Sequence, residues 1–205
     1  MQSVLFLLTS LLLAAQSTQP ADGLDAELLD ALRGGGHIIY LRHAQTEADY
    51  ADQVNADPND GSTQRVLSEA GWHQAKSIGR GVRALGIPVG TVYASEYFRA
   101  WQTADLAFGR YEKREELNFL PFEEYTAEQI EEMRDRLRPL LAAVPAEGTN
   151  TVIVGHDDPF EAATGIYPEP QGVAYILKPN GNGGYATLAR VPSEAWEQAA
   201  RQAAQ

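Results

Sequence analysis

Residues 37–46 read His37-Ile38-Ile39-Tyr40-Leu41-Arg42-His43-Ala44-Gln45-Thr46, and the rest of the chain is best read outward from them. Residues 37–41 are a short apolar, β-rich run with Gly34-Gly35-Gly36 immediately upstream. Such a run matches a strand buried on both faces, as in a parallel sheet covered by helices. Arg42 and His43 then stand where that strand should end.

Two further runs repeat the arrangement. Residues 89–94 read as a strand ending at Ser95, and a helix over residues 97–108 follows with Arg99, Thr103 and Ala104 in it. Residues 149–154 read as a third strand, followed by Gly155-His156-Asp157. Between these runs the apolar spacing turns helical. It does so over residues 25–32, with Leu28, Leu29 and Leu32 on one side, and over residues 68–85, where Ser68 is placed to cap. Thr126 and Gln129 have capping-box spacing for a helix running to about residue 141, perturbed near its end by Pro139. Residues 173–177 and 185–191 read as strands joined by the turn-rich 180–184, and Ser193 is placed to cap a last helix over 194–203. Residues 47–64, with Asp, Asn, Pro and Gly clustered at 57–61, read as a loop. Strands alternating with helices predict an α/β fold with a mainly parallel sheet.

Composition narrows the function. With 28 acidic against 16 basic side chains the formal charge is -12, which argues against general nucleic-acid binding. An anionic substrate would need a locally positive pocket. The absence of cysteine excludes thiolate catalysis, zinc–thiolate sites and disulfides. Residues 4–15 are apolar apart from Thr9 and Ser10, no charge precedes Asp22, and Ala15-Gln16-Ser17 offers small residues at signal-peptidase spacing. The run falls short of the roughly 20 residues a bilayer span requires. Residues 1–17 are therefore expected to be a secretory signal, with residues 24–205 as one domain, periplasmic or secreted and without a stable membrane anchor. A hydrophobic first helix is the alternative.

In open α/β sheets the carboxyl ends of the strands converge on one edge, where ligands bind. Three such ends would assemble two imidazoles, two guanidiniums and a carboxyl group, from His43, His156, Arg42, Arg99 and Asp157. Guanidinium forks match phosphate oxygens in geometry and charge. Imidazole is a covalent nucleophile, and with no Cys and no Ser in a nucleophile elbow, His43 is the candidate for attack.

On these motifs the chain resembles the histidine phosphatase superfamily, also called phosphoglycerate-mutase-like. Leu41-Arg42-His43-Ala44-Gln45-Thr46 fits its first signature, Ser95 with Arg99-Ala100 and Thr103-Ala104 its second, and Gly155-His156 its third. The resemblance implies a three-layer α/β/α sandwich, no metal, no cofactor and a phosphohistidine intermediate formed on a small phosphorylated substrate. By it, His43 attacks phosphorus, Arg42, Arg99 and Thr46 bind the phosphate, and His156 stabilises the transferring group. The proton donor is either Asp157, directly after the second His, or a Glu after the second motif, among Glu116, Glu123 and Glu124. Asp157 is preferred here; its bland reading is a helix cap or first-turn acid. Leu117-Asn118-Phe119 lacks the acid that mutases keep there, and Glu47-Ala48-Asp49 lacks their Asn, so a phosphatase is expected before a mutase. The alternatives are a phosphate-binding module without turnover and a phosphoryl-transfer enzyme, a mutase or a protein phosphohistidine phosphatase.

Other polar and aromatic residues receive ordinary readings. His37 reads as a strand-edge residue and His73 as a helix-surface one. Arg65 reads as a solvated charge, with reach over the pocket as the alternative. Tyr97, Phe98 and Trp101 read as packing residues.

Overall fold

The computed structural model describes residues 20–49, 51–53, 56–121 and 124–205. The expected signal, residues 1–17, and the candidate donor Glu123 lie outside the described residues. In chain order the elements are β1 (Ala21–Asp22), α1 (Ala26–Gly34), β2 (Ile38–Arg42), α2 (Glu69–Ala84), β3 (Val89–Ala94), α3 (Phe98–Phe108) and β4 (Glu112–Lys113). There follow α4 (Ala127–Ala142), β5 (Asn150–Gly155), α5 (Asp157–Thr164), β6 (Ala174–Pro179), β7 (Tyr185–Val191) and α6 (Ser193–Ala203). Among the described residues no helix is long and apolar enough to cross a membrane.

The strands form one seven-stranded sheet in the order β1-β7-β6-β2-β5-β3-β4. Strand β2 explains why: successive side chains of a strand point to opposite faces, and β2 is buried along its whole length. Ile39 and Leu41 enter one core with Ile78, Val82, Val92, Val152 and Trp196. Ile38 and Tyr40 enter the other with Leu137, Leu141, Ile153 and Phe160. Helices α2, α3 and α6 thus contribute to one face and α4 and α5 to the other, which makes the three layers.

Pairing is parallel between β2 and β5, with Tyr40 opposite Ile153, and between β5 and β3, with Ala94 opposite Val154. The three carboxyl ends therefore lie side by side at one sheet edge. The sheet is mixed: β6 runs antiparallel to both β2 and β7, and the short turn between β6 and β7 can join only antiparallel neighbours. The two-residue edge strands β1 and β4 and the short helix α5 are elements that periodicity does not mark. Ser193 is the first residue of α6 rather than its cap; Pro192 holds the cap position and makes no side-chain cap bond. Thr126 and Gln129 do form the full capping box of α4, which keeps Pro139 within it.

Candidate active site

The first motif turns sharply at the end of β2 and is tied down from three sides. The His43 N–H donates to Gly155 O at 3.0 Å, Gly172 N–H donates to His43 O at 2.9 Å, and Arg42 N–H donates to Val173 O at 3.0 Å. Thr103 Oγ1 accepts from Ala44 N–H at 2.9 Å and donates to Arg99 O at 2.6 Å. The Thr of the second motif thereby fastens the turn of the first. Helix α2 closes from the other side, so tightly that a Cβ on Gly71 would stand 1.9 Å from Gln45 O.

Inside this frame His43 is fully buried. Its Nδ1 lies 2.9 Å from Ala44 O, a carbonyl that can only accept, so Nδ1 carries the proton. Nε2 is left with its lone pair and accepts from Arg99 Nε–H at 3.2 Å. Burial, and then the Arg99 cation, hold the His43 imidazole well below its usual range, with Arg42 and Arg65 adding to the effect. The ring is therefore a neutral, oriented nucleophile.

His156 caps the N-terminus of α5, its ring centroid 5.4 Å from that of His43. Ser95 at the end of β3 sets its tautomer. The Ser95 hydroxyl donates to Asn118 Oδ1 at 2.8 Å, which leaves its oxygen to accept from His156 Nε2–H at 2.8 Å. Asn118 is itself held: Oδ1 accepts from Glu96 N–H at 3.0 Å and Nδ2 donates to Glu96 Oε2 at 2.8 Å. His156 Nδ1 is buried without a protein partner among the described residues. Burial first, then Arg99, holds this ring neutral too. An incoming anion would favour a proton on Nδ1 and gain a hydrogen bond from it.

Arg42 and Arg99 are almost fully buried. Arg42 donates to Pro168 O at 2.8 Å and through Nη2 to Asp157 Oδ2 at 2.5 Å. Arg99 Nη1 pairs with Asp52 Oδ1 at 2.9 Å. Each guanidinium is thus oriented by a carboxylate. Aromatic rings wall the site: Phe119 lies edge-on to His156 at 4.9 Å with the Arg99 guanidinium 4.9 Å from its centroid. Tyr97 packs on Phe119 and meets the His156 edge, and the Arg42 guanidinium lies 5.5 Å from the Tyr167 centroid.

The structure brings His43, Arg42, Arg99, His156 and Asp157 together. Asp157 is the first residue of α5, and its Oδ2 also accepts from Tyr167 Oη–H at 3.0 Å. Thr46 is buried beside them but turned to Gln171, whose Oε1 accepts from Thr46 N–H at 3.0 Å and whose Nε2 donates to Thr46 Oγ1 at 3.1 Å. Glu116 stands away from the cluster, paired with Arg114, which lowers its carboxyl below the usual range. Glu124 is exposed. His37 is buried and its N–H donates to Asn150 Oδ1 at 3.1 Å, while His73 sits on the exposed face of α2 near Glu69. Tyr97 is wall as well as packing.

Asp52, Asn118, Phe119 and Tyr167 are site residues that sequence reasoning passed over. Asp52 sits in a polar loop where any acid reads as solvated. Asn118 and Phe119 carried a signal, since they fill the place where mutases keep an acid.

The sequence model of the histidine phosphatase superfamily (branch 1) matches residues 38–118. No curated protein matches the chain in sequence. Solved structures match in fold. The protein histidine phosphatase SixA complexed with tungstate superposes with a TM-score of 0.55 at 13% identity, over 77% of this chain and 97% of that one. A mutant phosphoserine phosphatase from Entamoeba histolytica in complex with phosphoserine gives 0.55 at 15%, over 78% and 98%. A mycobacterial glucosyl-3-phosphoglycerate phosphatase with VO3 gives 0.55 at 16%, over 76% and 98%. At such identities the likeness is one of fold alone. Residues 38–118 are thus similar in sequence to the histidine phosphatase superfamily, branch 1, and the chain shares its fold with solved phosphatases.

Proposed function

We propose that this chain is a metal-independent phosphate-monoester hydrolase that works through a phosphohistidine on His43. The observation that carries the reading is a buried imidazole with Nδ1–H spent on Ala44 O and a lone pair on Nε2, set beside Arg99 and His156. That is the state a nucleophilic histidine requires before it meets phosphorus.

In the resting site Arg99 Nε–H occupies the lone pair of the nucleophile. An entering phosphoryl oxygen takes over that donor and frees Nε2 to attack in line. Arg42, Arg99 and His156 then carry the charge on the equatorial oxygens. The same exchange releases Asp157 from Arg42 Nη2, so that its carboxyl can take a proton and deliver it to the leaving oxygen as the P–O bond breaks. Water next attacks the phosphohistidine. Asp157 accepts the proton of that water, and His43 departs neutral. A small phosphomonoester is the substrate class this reading favours, and the names of two fold relatives, a phosphoserine phosphatase and a glucosyl-3-phosphoglycerate phosphatase, support it. Export of the mature chain to the periplasm or medium is part of the same proposal and rests on residues 1–17. It is tested by fractionating cells that carry a C-terminally tagged chain, where uncleaved protein confined to the cytoplasm refutes it.

The test of mechanism is hydrolysis of p-nitrophenyl phosphate in EDTA beside a His43→Ala control. Wild type is expected to turn over, to be inhibited by vanadate and to trap an acid-labile, alkali-stable phosphoenzyme. The control should lose all three. Asp157→Asn should slow alkyl phosphates far more than the aryl ester, since only the poorer leaving group requires the proton. Full activity in His43→Ala refutes the mechanism, and phosphate binding with no turnover on any ester assigns a binding module instead.

A further inference from the structure

The resting site is electrically closed around its named residues. Arg42 is paired with Asp157 and Arg99 with Asp52, while both imidazoles are held neutral by burial. Those groups together offer a phosphate dianion no net positive charge, in a chain whose formal charge is -12. Attraction over distance requires a cation that is not already matched.

Arg65 meets that requirement. It leaves the 47–64 loop and leads into Leu67, which bridges Thr46 of the first motif. Its backbone N–H donates to Asp52 Oδ1 at 2.8 Å, and that oxygen also takes Arg99 Nη1 at 2.9 Å. One carboxylate oxygen thus sets the Arg65 backbone beside the Arg99 guanidinium. The Arg65 Nε is buried without a partner, and its side chain makes no hydrogen bond or ion pair with any described residue. Its charge bears on His43, His156 and Arg99 alike. A buried donor without a partner costs about 1–3 kcal/mol, which a bound oxyanion would recover. A guanidinium whose charge is felt by both imidazoles, and which has no partner among the described residues, can offer its fork to phosphate oxygens.

We propose that Arg65 is a third phosphate-binding guanidinium of this site and supplies the unmatched positive charge that draws in a phosphomonoester dianion. The proposal rests on the phosphate-site reading above and adds to it the residue on which anion affinity depends. Asp52, by holding Arg99 and the Arg65 backbone at once, is the positioning residue that keeps the two forks in register.

The experiment is calorimetric titration of the full chain with inorganic phosphate and with vanadate, for wild type, Arg65→Gln and Arg65→Lys, beside aryl phosphate kinetics. Arg65→Gln should weaken both anions, and raise KM, by about tenfold to a hundredfold, the range of one charge-assisted hydrogen bond. Arg65→Lys keeps the charge and loses the fork, so a smaller but measurable weakening is expected. Added salt should weaken phosphate binding more steeply in wild type than in Arg65→Gln. With one cation fewer beside it, His43 should protonate at a higher pH, and the acid limb of kcat/KM should move up. A merely structural arginine would move neither the salt dependence nor that limb. A folded Arg65→Gln that binds phosphate within twofold of wild type overturns the proposal. If Arg65→Gln does not fold, an Arg65→Lys indistinguishable from wild type overturns it equally. Wild type that binds phosphate but turns nothing over sinks the hydrolase reading and leaves Arg65 to be decided by the titration, whereas wild type that binds neither anion sinks both.

Discussion

A Cβ on Gly155 would stand 2.3 Å from Tyr40 Oη and 3.0 Å from its ring carbon Cζ. Tyr40 has nowhere to retreat: it is fully buried, stacked on Phe160 at 4.3 Å, and its hydroxyl donates to His156 O at 2.7 Å. Burial pushes the phenol far above its ordinary range, so it stays a donor at every working pH. In sequence a glycine before a histidine simply permits a tight turn beside a pocket. The structure gives another reason, a tyrosine from the neighbouring strand lying across the space a side chain would fill. Gly155→Ala should therefore destabilise the fold by about 1–3 kcal/mol through overpacking and lower activity by displacing His156. Tyr40→Phe removes the hydroxyl that meets the new methyl, so the double variant should lose less stability in urea unfolding than the two single losses added. Strict additivity would argue against the clash.

Helix α5 is joined to the segment before α4 through Asp158. Tyr125 Oη lies 2.8 Å from Leu120 O and 3.0 Å from Asp158 Oδ2. A tyrosine has one hydroxyl proton, and the carbonyl can only accept it. A protonated Asp158 donating to Tyr125 Oη satisfies all three groups. Burial, and then the neighbouring Asp157, do raise the Asp158 carboxyl above its usual range. A carboxyl raised in the folded state lends stability at low pH and loses it as pH climbs past the unfolded value of about 4. Asp158→Asn should thus raise Tm at pH 7 and gain much less at pH 4, read by thermal unfolding at the two pH values. An equal change at both would show that Asp158 titrates normally. Periodicity did not mark α5: it has eight residues, Pro159 in its first turn, and only Pro159, Phe160 and Ala163 buried. Asp157 could still be read as a first-turn acid, because the choice between capping and first turn is local. Its pairing with Arg42, from a strand 115 positions away, is not local.

Three of the four histidines are held below their ordinary range. For His43 and His156 burial leads with Arg99 next, and for His37 burial leads with Lys178 next; His73 on α2 is exposed. An imidazole depressed in the folded state binds its proton more readily when unfolded. Stability is therefore full above the unfolded value of about 6.5 and falls as pH drops below it toward the folded values. The slope is about 1.4 kcal/mol per pH unit for each fully depressed imidazole. Urea unfolding at pH 7.5 and 5.5 should show that loss, and replacing His37 by Gln should make it shallower without touching the site residues. A midpoint that does not move between the two pH values would contradict the buried, neutral state of these rings.

The layered α/β fold, the longer helices and strands and the gathering of Arg42, His43, Arg99 and His156 could be read in one dimension. Their causes are short-range: β2 is apolar at successive positions because both of its faces are covered, and each motif follows a strand whose direction parallel pairing fixes. What the chain written as a string could not reveal is which carboxylate meets which guanidinium. Asp52 and Asp157 look like many other acids in a chain with 28 of them. Only the packing of a polar loop over the start of α3 sets Asp52 on Arg99, with the Arg65 side chain unpaired among the described residues. The energy of an ion pair depends on a few ångströms of separation between residues far apart along the chain, and that distance exists only once the sheet has formed.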